Sequence, residues 1–182
     1  MAHDLDIPDV FWTVCYDSRC YPGANGVSGP VHGCERRLPS LARGANCQLF
    51  AYELLRHNGF RIGDLRSSEL WTDRQDTMPV NDDTACGDLL LFNRADRAWG
   101  AHVAVALGDG RAIHLSKQIG RPVVWTLAAF AAEARYACFI GAKRPIRRDS
   151  VPMSTAAIPL ETAIAPGRLP TQPCSPFRGD FG

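Results

Sequence analysis

Residues 44–59 read GANCQLFAYELLRHNG, and their pattern is that of a short amphipathic helix. Asn46 is a favoured N-cap residue, and Gly59 is a natural stop at the C-terminal end. The apolar residues that follow Cys47 recur at helical spacing: Phe50, Ala51, Leu54 and Leu55. This stretch therefore predicts a helix of about three turns with one side facing the core.

Cys47 falls in the first turn of this predicted helix, on its core side. Unpaired backbone N–H groups and the positive end of the helix dipole favour a thiolate there, and the thiolate is the nucleophilic form of cysteine. A buried cysteine can equally be a small apolar residue at the head of the stripe. Cys47 is therefore a candidate nucleophile whose role depends on what the rest of the chain supplies.

Length and composition describe one ordinary globular domain. The chain has 182 residues, of which 46% are hydrophobic and 21% are charged. The net charge of +1 gives no electrostatic support for binding nucleic acid or an anionic membrane. No apolar run approaches the roughly 18 residues that a membrane helix needs. We therefore expect neither a nucleic acid nor a membrane as partner, while the oligomeric state stays open.

The first residues and the cysteines predict a location. The N-terminal sequence MAHDLDIPDV carries acids where a signal peptide has bases and an apolar segment. We expect a cytoplasmic protein, or one exported by a route that uses no signal peptide. The odd number of cysteines, seven, indicates reduced thiols rather than a disulfide framework.

Composition divides the chain into three parts. Residues 1–43 are a loop-rich lead-in, residues 44–145 form the globular domain, and residues 146–182 are a proline-rich tail that we expect to be disordered. A four-ligand zinc set could be assembled in the lead-in from Cys15, Cys20, His32 and Cys34. Their spacing lacks the paired Cys-x2-Cys pattern of strong zinc motifs, so the alternative is a surface segment with incidental thiols.

The sequence pattern changes after residue 88 from helical to strand-like. Five short runs rich in β-forming residues predict an antiparallel meander: residues 89–93, 102–107, 111–116, 122–126 and 136–143. Short helices are predicted over residues 127–135, with Thr126 as cap, and from Ser67 or Ser68. This is the α+β pattern, so we predict the Cys47 helix packed on one face of a five-stranded antiparallel sheet.

The segment 102–116, HVAVALGDGRAIHLS, predicts a hairpin that brings two histidines together. Residues 108–110 suit a three-residue loop, a type I turn followed by a left-handed glycine. Ala104 then lies opposite His114, so that His102 and His114 share one face of the sheet, about 7 Å apart on the diagonal. A two-residue loop would shift the register by one and place them on opposite faces.

Two histidines on one face, with Cys47 packed against that face, supply the parts of a papain-like site. Cys47 would attack a carbonyl, His102 would take and return the proton, and His114 would orient the His102 imidazole. The backbone N–H of Cys47 would be the first donor to the oxyanion. Each histidine alone is more simply a half-buried strand residue, and only the combination predicts a site.

Four successive blocks resemble the NlpC-type cysteine peptidases, a papain-like family of bacterial cell-wall hydrolases: GANCQLFAYELLRHNGF, CGDLLLF, GAHVAVALGDGRAIHLS and CFIGAKRP. The resemblance spans residues 44–145, which would then be the catalytic domain. It implies Cys47 as nucleophile, His102 as base and His114 as third polar residue, without metal or cofactor. The family cleaves amides of peptidoglycan stem peptides, commonly between D-glutamate and a diamino acid.

The chain departs from this family at the nucleophile. The family usually has Asp-Cys-Ser-Gly, whereas residues 46–49 are Asn-Cys-Gln-Leu, which changes the wall around the sulfur and so bears on the substrate. An upstream tyrosine often shapes the family's site, and Tyr16 and Tyr21 are candidates. Cysteine precedes histidine here, which excludes the circularly permuted relatives. His114 in third place favours the NlpC type over CHAP-type amidases, which usually have Glu or Asn there.

Three functions are consistent with these residues. The leading one is a cysteine hydrolase that cleaves a peptide-like amide through an acyl-enzyme, with a peptide or peptidoglycan fragment as substrate. An acyltransferase would use the same acyl-enzyme and pass the acyl group to an amine or thiol. A catalytically silent binding module, with zinc held in the lead-in, is the third. Candidate specificity residues are Trp71, Trp99, Ser116, Lys117 and Gln118.

Overall fold

The computed structural model of the chain describes residues 4–24 and 41–147. Its helices are α1 (Asp9–Trp12), α2 (Cys47–His57), α3 (Ser67–Thr72) and α4 (Leu127–Ala132). Its strands are β1 (Phe60–Arg61), β2 (Thr77–Val80), β3 (Leu89–Asn93), β4 (His102–Gly108), β5 (Arg111–Leu115), β6 (Pro122–Thr126) and β7 (Cys138–Arg147). The predicted α+β class is confirmed, and each of the five predicted strands is present.

The sheet has seven strands within the described residues, so the predicted number of five is wrong. Its order is β1-β7-β3-β4-β5-β6, with β2 also paired to β7. The two strands that the sequence pattern missed are short. β1 has two residues, and β2 contains Pro79. A proline lacks the N–H that a central strand needs, and it is tolerated at an edge such as β2.

The predicted meander is confirmed for β3 to β6, in which each strand pairs antiparallel with the next. β7 departs from it, because it pairs with β3 rather than with β6. The segment that contains α4 carries the chain back from β6 to the other side of β3. This pairing encloses β3, while β4, which begins at His102, lies between β3 and β5.

Helix α2 forms as predicted. The Asn46 side chain accepts a hydrogen bond from the backbone N–H of Leu49 at 2.8 Å, which is the N-cap interaction. After the helix, Gly59 adopts φ +81°, a conformation that side-chain-bearing residues rarely take. Residues 48–55 are all buried rather than only the predicted stripe. The segment after the helix covers the additional side, where the Tyr52 hydroxyl donates to the Leu65 carbonyl at 3.1 Å.

Each face of the sheet has its own apolar core, one with residues of α2 and one with Phe130 of α4. The core on the α2 side takes the sheet residues Leu89, Leu91, Val103, Val105, Ile113 and Leu115. The core on the other side takes Leu90, Phe92, Ala104, Ala106 and Ala112, together with Phe130 from α4. This division follows from the alternation of side chains along each strand.

The described part of the lead-in packs on α2. Tyr16 forms a parallel bridge with Ala45, just before the helix begins, and the Asp6 N–H donates to the Asn58 side chain at 2.8 Å. His32 and Cys34 of the predicted zinc set lie outside the described residues, as do residues 148–182 of the predicted tail. In residues 4–24 and 41–147, no group of three or more His, Cys, Asp or Glu side chains is placed to hold a metal ion.

The predicted domain boundaries at residues 43 and 145 stay predictions. β7 continues to Arg147, where it pairs with Phe60 of β1. Among the helices of the described residues, none combines the length and apolar character that crossing a membrane requires.

Loss of the α2 cap should destabilise the fold. We expect Asn46→Ala to lower the free energy of unfolding by about 1 kcal/mol, because the Leu49 N–H loses its acceptor. Urea denaturation followed by circular dichroism measures this change. Asn81→Ala, at an exposed position after β2, is the matched control. Equal stability of the two variants would contradict a capping role for Asn46.

Candidate active site

The register of the β4–β5 hairpin is the predicted one. Val105 pairs with Ile113, and both side chains enter the core on the α2 side. His102 lies three positions before Val105, and His114 lies one position after Ile113. Both offsets are odd, so both imidazoles project from the other face of the sheet.

The loop that sets this register differs from the predicted one. Gly108 pairs with Arg111, which leaves a two-residue turn of Asp109 and Gly110 with φ of 51° and 67°. Two positive φ values are those of a type I′ turn rather than of the predicted type I turn. Such a turn alone would shift the histidines to opposite faces. A bulge at Leu107, where the pairing register shifts, adds one residue to β4 and offsets that shift.

The two histidines form the predicted contact. His102 Nε2 and His114 Nδ1 are 2.9 Å apart, which is a hydrogen-bond distance, and the two rings are perpendicular. His102 is 9% exposed and His114 is fully buried. The orientation of His102 is therefore held by a side chain that has no contact with solvent.

Three aromatic rings enclose the histidine pair. Tyr136 stacks on His102 with centroids 4.4 Å apart, and the rings of Trp125 and Phe130 lie 4.7 Å from His114. The sequence analysis missed these residues. Pairing within the predicted meander could have found Trp125, because it lies opposite Ala112 on the histidine face. Tyr136 and Phe130 follow from the placement of α4, which no local pattern indicates.

The structure corrects the placement of Cys47 relative to the sheet. Helix α2 packs on the face opposite the histidines, so the predicted packing of Cys47 against the histidine face is wrong. The half-buried Cys47 thiol instead lies near the backbone of Val103, whose N–H is among the groups that lower its pKa. His102 is the first residue of β4 and directly precedes Val103. Cys47 and His102 therefore both lie near the start of β4.

The electrostatics of the site favour neutral groups. Burial raises the pKa of the Cys47 thiol, and backbone N–H groups and the charge of Arg66 oppose this rise in part. Burial, the neighbouring His114 and the charge of Arg135 lower the pKa of His102 well below its usual value. Burial also lowers the pKa of His114, to about 4. At neutral pH the site therefore rests as a thiol and two uncharged imidazoles rather than as an ion pair.

Both tyrosines singled out in the lead-in lie near Cys47. Burial raises the pKa of Tyr16, and the nearby Cys47 and Tyr136 add to that effect. Tyr21 lies under the guanidinium of Arg66, 4.4 Å from its ring centroid. The lead-in therefore forms one wall of the site.

The candidate specificity residues have other contacts. The Trp71 ring lies against Gly141, where an added Cβ would come within 2.7 Å of it. The buried Ser116 hydroxyl accepts from the N–H of Ile119 within its own turn. Trp99 is 71% exposed beside Arg97. No hydrogen bond or aromatic contact joins these three side chains to the histidine pair.

Comparison with known proteins finds similarity in structure alone. No family model and no curated protein matches the chain. It is similar to the crystal structure of the NlpC/p60 domain of the peptidoglycan hydrolase SagA, with 24% identity, 57% of this chain and 79% of that chain covered, and a TM-score of 0.39. It is also similar to an NlpC/P60 family protein from Bacillus cereus, with 17% identity, 63% and 40% coverage and a TM-score of 0.43.

Both solved structures carry the name of the family that the sequence blocks resemble. The chain spans less than half of the Bacillus cereus protein. Both TM-scores are below 0.5, so neither similarity carries a function over to this chain.

The buried His114 should make stability depend on pH. Its pKa falls from 6.5 to about 4 on folding, so the unfolded chain binds its proton at higher pH. Above pH 6.5 His114 is neutral in both states and does not reduce the free energy of unfolding. As the pH falls to 4, the unfolded chain takes up the proton first, and the free energy of unfolding falls by about 3 kcal/mol. Between pH 7 and pH 4 we expect the free energy of unfolding of His114→Asn to fall by about 3 kcal/mol less than that of the native chain.

Urea denaturation of both proteins at the two pH values measures this difference. Because each protein is compared with itself, a constant cost of the substitution cancels. An equal loss in both proteins would show that His114 does not titrate as its burial requires.

Proposed function

We propose that the chain is a cysteine amidase or peptidase that acts through an acyl-enzyme on Cys47. The observation that carries the proposal is the hydrogen bond between His102 and His114, 2.9 Å long, next to Val103, whose backbone N–H helps to lower the pKa of the Cys47 thiol. A nucleophile, a base and a group that orients the base are the parts that cysteine hydrolases need.

The hydrogen bond between the imidazoles determines how His102 acts as a base. His102 must carry its proton on Nε2 and donate it to His114 Nδ1, since only then is His102 Nδ1 free to accept a proton from the thiol. His114 then holds its own proton on Nε2, which is buried without a hydrogen-bond partner among the described residues and lies among aromatic rings. The Nδ1 lone pair of the uncharged His114 accepts this hydrogen bond and so orients His102, in the place where other cysteine hydrolases can have a carboxylate.

The thiol proton moves to His102 as the bond from the Cys47 sulfur to the substrate carbonyl forms. The backbone N–H of Cys47, at the start of α2, donates to the developing oxyanion. As the C–N bond breaks, His102 returns the proton to the leaving amine. Water, activated by His102, then hydrolyses the thioester and frees Cys47. General base catalysis of this kind suits a site in which thiol and imidazole rest uncharged.

The substrate class follows from the sequence blocks that resemble the NlpC-type peptidases. We propose a peptidoglycan stem peptide or a related peptide-like amide. For the location we propose the cytoplasm, or export without a signal peptide.

Incubation with a synthetic stem peptide, L-alanyl-γ-D-glutamyl-diamino acid, tests the proposal. We expect release of the diamino acid, detected by mass spectrometry, and no release by Cys47→Ala. His102→Ala should lower kcat/KM by about 100-fold or more, because it removes the base. His114→Ala should have a smaller effect, since it leaves His102 in place but not oriented.

The matched control is His57→Ala. His57 is the last residue of the same helix and pairs with Asp6, away from the site. Cleavage by Cys47→Ala, or an equal rate for His102→Ala and His57→Ala, would overturn the proposal.

A further inference from the structure

An apolar pocket opens beside α4, on the histidine face of the sheet. Its volume is about 150 Å³. Three aromatic and three aliphatic side chains line it: Phe92, Tyr136, Phe139, Leu127, Ala131 and Ala137. None of these six side chains carries a charge, and the Tyr136 hydroxyl is the one polar group among them. The pocket therefore suits an uncharged, apolar group.

Two buried residues, Phe92 and Tyr136, form the floor of the pocket. The Phe92 ring lies parallel to the Phe130 ring, with centroids 4.3 Å apart, and its centroid is 5.3 Å from that of the Phe139 ring. Tyr136 belongs to the same apolar core as Phe92 and Phe130. These contacts hold the floor in place, so the pocket needs no rearrangement before a ligand binds.

The rim of the pocket leaves apolar surface exposed. Phe139 of β7 is 50% exposed, and Leu127 at the start of α4 is 36% exposed. Ala131 and Ala137 are exposed as well, and their short side chains leave the pocket unfilled. A ligand that covers Phe139 and Leu127 removes apolar surface from water, which favours binding.

Both floor residues also adjoin the proposed base. The Tyr136 ring stacks on His102 with centroids 4.4 Å apart, and Phe92 lies opposite His102 in the pairing of β3 with β4. One side chain, that of Tyr136, thus belongs both to the pocket and to the surroundings of the histidine pair. The pocket is therefore continuous with the candidate active site on its histidine side.

The volume and the lining of the pocket determine the chemical class of its ligand. Apolar cavities of about 150 Å³ bind benzene. The aromatic rings of the lining favour an aromatic ligand, because ring pairs gain from offset-stacked and edge-to-face contacts. Carbohydrate hydroxyls and carboxylates would lose water here and find only the Tyr136 hydroxyl as a partner, which disfavours both.

We propose that this pocket binds a benzene-sized aromatic ring, the side chain of an aromatic residue in the substrate. The substrate is its source because the floor of the pocket adjoins His102. The inference rests on the proposed function, since it assigns a side chain to the peptide-like amide that the site would cleave.

Fluorobenzene tests the pocket without a substrate and without catalysis. Its binding to the full chain is followed by fluorine NMR as a saturable change of the signal. Ala131→Leu and Ala137→Leu extend a side chain into the pocket from α4 and from the segment before β7. Each should weaken binding by about tenfold or more, because it fills the space that the ring needs.

The matched control is Ala132→Leu. Ala132 is the next residue of α4 and is exposed, but it does not line the pocket. The same substitution there should leave the affinity for fluorobenzene unchanged. Circular dichroism of the three variants checks that each one is folded.

Peptide cleavage tests whether the ring belongs to the substrate. The synthetic stem peptide is compared with two analogues, in which phenylalanine replaces either the alanine or the diamino acid. We expect the native chain to cleave one analogue about tenfold faster than the parent peptide, as measured by kcat/KM. This preference should be lost in Ala131→Leu and kept in Ala132→Leu.

Failure of this inference is distinguishable from failure of the proposed function. Absence of fluorobenzene binding, or binding that both Ala131→Leu and Ala137→Leu leave unchanged, would overturn the pocket whether or not the chain cleaves peptides. Binding without a preference for either analogue would overturn the substrate as the source of the ring and leave the cysteine hydrolase intact. Binding that the two variants weaken, with none of the three peptides cleaved, would overturn the enzyme and support the aromatic site.

Discussion

The hydrogen bond between His102 and His114 depends on the register of one hairpin. A shift of one residue would turn one imidazole to the opposite face of the sheet and leave the other without a partner. The bulge at Leu107 keeps the register while the chain reverses through the tight turn at Asp109 and Gly110. The backbone irregularity is therefore what allows a short turn and a histidine pair in the same hairpin.

Burial of this pair shapes the chemistry that the site can perform. A carboxylate in third place would stabilise an imidazolium, whereas His114 is neutral and lies among aromatic rings. The pKa of His102 is low and that of Cys47 is high, so charge does not build up before a substrate arrives.

The two-layered packing explains how cysteine and histidine meet. Helix α2 and the histidines occupy opposite faces of the sheet, and each face is closed by its own core. The end of β4 is where the two sides join, because His102 begins the strand and Cys47 begins the helix. Loops from the lead-in and from the start of α3 complete the walls, which places residues of distant sequence position around the sulfur.

Local rules were enough to predict α2 and the shared face of the histidines, since capping, helical periodicity and strand alternation act between near neighbours in the chain. The loop type at Asp109 was predicted wrongly, yet the bulge at Leu107 kept both histidines on the same face of the sheet. The stacking of Tyr136 on His102 and the position of Arg66 could not be predicted. These contacts join elements far apart in the chain, and their geometry is set by how α4 and α3 pack rather than by any local pattern.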